Sequence, residues 1–185
     1  MARLMRCKAC GFVISESKIK DVCPACGLPK SVFEEYEERI SQKRKLILGL
    51  DLHPIAVHFP QALATLSAVF LAVGLLLEGS LAAELLSAAR LLLILLPFSV
   101  LVAIIVGILD GKTRFRRLKT PLLVRKMILA VILLVLSVIV CALVLRSELK
   151  TETAGVVLVL LLGCIGCEIG LGKTGVRLIC ARVRG

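Results

Sequence analysis

Cys7-Lys8-Ala9-Cys10-Gly11 and Cys23-Pro24-Ala25-Cys26-Gly27 are two CxxC knuckles with twelve residues between them. A CxxC turn brings two sulfurs to one metal, and two such turns complete a tetrahedron. A glycine after each knuckle supplies a positive φ, which lets backbone N–H groups turn in toward the thiolates. Hydrogen bonds of that kind tune a bound metal. Structural disulfides are the other use of paired cysteines, but thiols stay reduced in a cytoplasmic segment. About thirty residues also lack the apolar core to fold alone, which calls for a metal staple. Iron and zinc both accept four sulfurs, so the knuckles leave the metal open.

CKACGFVI followed by CPACGLPKSVF resembles the rubredoxin-type domain found at the end of rubrerythrins. The resemblance covers about residues 5–36, and Phe12 and Phe33 fill its aromatic places. It implies one iron, cycling between ferric and ferrous, held by Cys7, Cys10, Cys23 and Cys26. The stretch between the knuckles is shorter than in full-length rubredoxins and Trp is absent, so zinc remains the alternative.

Both histidines lie in His53-Pro54-Ile-Ala-Val57-His58-Phe59-Pro60, at the start of a long apolar run. Imidazole inside a membrane span is costly and marks a functional candidate. Five residues place His53 and His58 about 140° apart on a helix, so they cannot clamp one haem from both sides. A haem b on a single histidine, or a quinone head group hydrogen-bonded by imidazole, is the chemistry left open. The bland use of both is a cap and a backbone contact. The HPxxVHFP motif also resembles a family of predicted bacterial membrane proteins. That resemblance covers residues 51 to about 175, implies a four-span bundle and supplies no activity.

Glu168 interrupts the last apolar run and is a candidate proton carrier to a reduced quinone, or a structural acid paired with Lys126 or Lys173. Cys164 and Cys167 form a third CxxC one helical turn apart, read as small buried residues, as are Cys141 and Cys180. Gly166 and Gly170 form a GxxxG pair suited to close helix approach. Gly172-Lys173-Thr174 lacks the rest of a phosphate loop and is discarded.

These residues need elements to hold them. The chain has 185 residues, 58% hydrophobic, with a formal charge of +11. That exceeds the apolar share of soluble domains and excludes a plain soluble globule and a disordered chain. Four apolar runs, 54–77, 91–109, 127–145 and 154–172, are long enough to cross the bilayer. Lys and Arg number ten in 1–50, seven in 110–126 and four in 173–185, against three in the two remaining loops. The positive-inside rule puts both termini and the middle loop in the cytoplasm. No apolar leader precedes the first span, so the N-terminal segment is expected to stay where it is made. The basic loop with Arg114, Arg116, Arg117 and Lys119 is explained by orientation and lipid, not by nucleic acid.

The expected fold is mainly α: a four-helix transmembrane bundle with a small N-terminal rubredoxin-like metal knuckle domain. Its parts are a metal domain at 1–30, an amphipathic linker helix at 31–50, the four-span domain at 51–175 and a basic tail at 176–185. Ser31-Val-Phe-Glu34 reads as a capping box opening the linker helix, with Lys43, Arg44 and Lys45 toward the headgroups. Pro97 is expected to kink the second span, with Ser99 serving the freed backbone. The topology gathers the polar intramembrane residues at the cytoplasmic ends, beneath the metal head.

The leading function is membrane-bound electron transfer in the cytoplasmic membrane, as an electron carrier, with a subunit of a quinone-linked oxidoreductase as the enzymatic alternative. Electrons pass between a soluble partner, such as a flavoprotein, and a quinone or haem site lined by His53, His58 and Glu168. A homo-oligomer is compatible with the sequence. The alternative is a structural zinc-ribbon docking module on a membrane anchor. A small transporter using the histidines and Glu168 has too few intramembrane charges to support it.

Overall fold

The computed structural model describes residues 3–37, 41–115, 120–147, 149 and 151–179, the side chains of 42, 43, 45, 151 and 177–179 aside. Lys43, Lys45, Arg116, Arg117, Lys119, Lys150, Cys180 and most of the basic tail therefore lie outside the described side chains. The chain divides into two compact units, an N-terminal head and a helical unit over Leu46–Leu178.

The head is a three-stranded antiparallel sheet in the order β2-β1-β3, with β1 Leu4–Cys7, β2 Val13–Ser15 and β3 Phe33–Tyr36. The central strand pairs Leu4 with Ser15 on one side and with Tyr36 on the other. Cys7 lies opposite Phe33, so the first ligand is anchored in the sheet. The third strand overturns the expected helix from residue 31. Ser31 lies in a 3-10 turn, and Phe33–Tyr36 hydrogen-bonds to the free edge of β1. Unpaired backbone along β1 is a stronger demand than a four-residue capping pattern. The helix that does form, α1 Gln42–Gly49, starts eleven residues later. The Arg44 N–H donates to Ser41 Oγ at 3.4 Å, so Ser41 plays the capping role expected of Ser31.

Asp51 adopts a left-handed backbone, φ 45°, at the N-cap of the next helix. Four long helices follow: α2 Leu52–Leu76, α3 Ser80–Arg114, α4 Pro121–Arg146 and α5 Thr151–Ile179. All four are long and apolar enough to cross a membrane. Each buries a seam at alternating steps of three and four. On α2 it runs through Pro60, Ala64, Ser67, Leu71 and Gly74, and on α5 through Ala154, Val157, Leu161, Cys164 and Glu168. This is the spacing of antiparallel bundles packed by interlocking side chains.

Contacts at glycines fix the register. A Cβ on Gly74 would meet Leu86 at 3.1 Å, and one on Gly107 would meet His53 at 2.8 Å. These contacts share one antiparallel register of α2 on α3. Between α4 and α5, Leu136 packs toward Gly163 and Leu129 toward Gly170. Gly166 faces open space, so the expected GxxxG pair is replaced by Gly163 and Gly170, seven residues apart. Pro97 sits inside the continuous helix α3, and Ser99 Oγ donates to the Leu96 carbonyl at 2.7 Å. The carbonyl a proline frees is the one four residues back, here that of Leu93. Ser99 therefore does not serve it.

Candidate metal centre

The two knuckles have the same hydrogen-bond plan. Cys7 N–H donates to the Phe12 carbonyl and Gly11 N–H to the Cys7 carbonyl, both at 2.8 Å. Cys23 N–H donates to Leu28 at 2.7 Å and Gly27 N–H to Cys23 at 2.8 Å. Gly11 and Gly27 hold φ of 76° and 74°, as the expected turn requires. The first cysteine of each knuckle is buried and the second exposed.

The turns bring Cys7, Cys10, Cys23 and Cys26 together, with all four sulfurs within 4.8 Å of one another. The Sγ–Sγ distances across the knuckles are 3.7 Å for Cys7–Cys26 and 3.8 Å for Cys10–Cys23. A metal–sulfur bond of about 2.3 Å gives a tetrahedral edge of about 3.8 Å. The four residues thus fit a tetrahedral thiolate-bound metal, iron or zinc.

Electrostatics point the same way. The backbone N–H of Cys10, helped by that of Ala9 and by the sulfurs of Cys10 and Cys26, brings the Cys7 thiol down to about 7 against the effect of burial. The Leu28 N–H lowers Cys26, yet burial and the other three sulfurs push it up to about 12. Cys10 is likewise raised, with the Phe12 N–H outweighed by burial and by Cys7 and Cys23. One thiolate forms readily and opposes the next, so the full set of anions needs a cation among them.

In the helical unit, the structure separates the two histidines. His53 is half-buried at the seam of α2, whereas His58 is exposed on the outer face. Lys126 Nζ lies 3.1 Å from His53 Nε2. The imidazole rests on Gly107 of α3, with Nδ1 3.0 Å from where a Cβ would stand. Asp110 and Arg114, an ion pair of 3.5 Å one turn apart, continue that seam of α3. Lys126 Nζ lies 3.9 Å from where Gly175 of α5 would carry a Cβ. The apolar core therefore gives way at this end to His53, Asp110, Arg114 and Lys126.

Glu168 is buried farther along the seam of α5, and its Oε1 has no hydrogen-bond partner among the described residues. It makes no ion pair with Lys126 or Lys173, and it does not join His53. Cys164 is buried beside it, Cys167 and Cys141 are half-buried, and all three are free thiols. Sequence reasoning missed Lys126 as the partner of His53. The signal was available: extending the three-four seam of α4 back from Val144, Val140, Ser137 and Leu133 lands on Lys126.

Residues 6–34 match the family model described as "Rubrerythrin, rubredoxin-like domain". No curated protein and no solved structure matches the chain. The resemblance of residues 51–175 to the HPxxVHFP family rests on its motif alone. Residues 6–34 form a rubredoxin-like domain with four close cysteines, followed by four membrane-capable helices.

Proposed function

We propose that this protein is a membrane-bound one-electron carrier, with both termini cytoplasmic and one iron atom on Cys7, Cys10, Cys23 and Cys26. The observation that carries the reading is a four-sulfur arrangement in a rubredoxin-like domain, two of its ligands open to a partner. Iron on four thiolates supplies reversible one-electron chemistry when bound. Cys7 and Cys23 hold the buried side of the site, and the turned-in N–H groups offset thiolate charge. Exposed Cys10 and Cys26 offer the shortest path to a soluble partner such as a flavoprotein.

A quinone suits the membrane side better than a haem. His58 stands on the exposed face and His53 Nε2 is engaged by Lys126, which argues against either imidazole as an axial ligand within one chain. The Lys126 ammonium donates one proton to His53 Nε2 and keeps others to donate to a quinone carbonyl gaining electrons and protons.

The test is the visible spectrum of the purified full chain before and after dithionite, with metal analysis on the same sample. One iron and a red colour bleached by reductant are expected, and Cys7→Ser abolishes both. A colourless protein with one zinc overturns the carrier reading in favour of a docking module. A Soret band overturns the preference for quinone.

A further inference from the structure

The outer side of the α4–α5 pair carries an open groove of about 420 Å³, lined by Leu122, Arg125, Ile128, Leu129, Gly170 and Thr174. Its floor is apolar and depends on Gly170, where a Cβ would stand 3.2 Å from Leu129 Cδ1. One end is charged. Arg125 lies in the second turn of α4, at the same end of the pair as Thr174. Arg125 is exposed and, among the described residues, has no ion pair. Neither acid of α4 and α5 stands beside it, since Glu152 is at the far end and Glu168 is buried in the seam. The Thr174 hydroxyl donates to the Gly170 carbonyl at 2.7 Å and so has no proton left for a ligand. Lys173, also exposed, adds charge at the same level.

An apolar channel along a membrane-capable helix pair, ending at an unpaired guanidinium, matches an amphiphile with an acyl chain and an anionic head. An uncharged quinone would leave the guanidinium unanswered. We propose that this groove binds an anionic phospholipid, its phosphate at Arg125 and one acyl chain along Ile128, Leu129 and Gly170. The site is independent of the metal head.

The test is native mass spectrometry of the full chain, titrated in detergent with phosphatidylglycerol and with phosphatidylcholine of the same chains. Wild type should retain phosphatidylglycerol preferentially, by about fivefold for one matched charge at the surface. Arg125→Gln should bring the two lipids level, and Gly170→Leu should remove both adducts by filling the floor. Lys112→Gln, an exposed cation on α3 outside the groove, should keep the preference. Glycerol phosphate, which has the head and no chain, should not displace the lipid. Equal retention of the two lipids by wild type overturns the proposal. So does an equal loss in Lys112→Gln, which would mean diffuse charge, or a retained quinone that Arg125→Gln does not release.

Discussion

His53 of α2 lies against the bare backbone of Gly107 of α3, so that a methyl group there would stand 2.8 Å from imidazole Cε1 and 3.0 Å from Nδ1. The absent side chain is what lets His53 turn inward and meet Lys126 at 3.1 Å. A glycine inside an apolar helix costs about 0.5–1 kcal/mol relative to alanine. Here that loss is offset by seating a ring that no other residue would admit.

Gly107→Ala should therefore destabilise the bundle by about 1–3 kcal/mol, as overpacking does, despite alanine's better helix propensity. His53→Ala in the same chain should relieve most of the loss. Unfolding in mixed detergent would read both, and a double-mutant cycle with no coupling would sink this account.

A Cβ on Gly27 would meet nothing within 4 Å, while the backbone φ there is 74°. Any loss on substitution is therefore backbone strain alone. Gly27→Ala should cost about 1–2 kcal/mol, and Gly27→Asn less, since asparagine tolerates this region. Resistance of the loaded head to a chelator would rank them Gly, then Asn, then Ala. Equal losses for the two variants would point to a steric cause instead.

Buried Glu168 has an Oε1 without a hydrogen-bond partner among the described residues, at a seam position that leucine or valine fills elsewhere. An unsatisfied buried polar atom costs about 1–3 kcal/mol. Glu168→Leu should raise stability by a similar amount in thermal unfolding. A drop in stability would reveal a structural partner and contradict the free carboxyl.

Much of this was legible from residue types alone. The cysteine knuckles are local, and each CxxCG stretch contains what closes its own turn, so spacing and geometry agree. The spans follow from length and apolarity, which the bilayer demands whatever the packing. Strand β3 was hidden because its reason lies some thirty residues away, in the unpaired edge of β1. Ser31 and Glu34 carry the letters of a helix start, and Phe33 sits between them because it pairs across from Cys7. The histidine motif named the right His53 and added His58. A motif reports neighbours along the chain, whereas burial follows the seam. Five residues from a seam position is an outward one. Lys126 was passed over for the converse reason: its letter marks a loop, and its position continues a core.

The contacts Gly74–Leu86 and Gly107–His53 lie at opposite ends of the same helix pair, about 31 Å apart at 1.5 Å per residue. That separation is close to the thickness of the hydrocarbon layer, about 30 Å. A pair pinned at both ends cannot shorten by sliding one helix past the other. A bilayer thinner than this would require α2 and α3 to lean together as one rigid strut, since neither can slip along the other to shorten the pair.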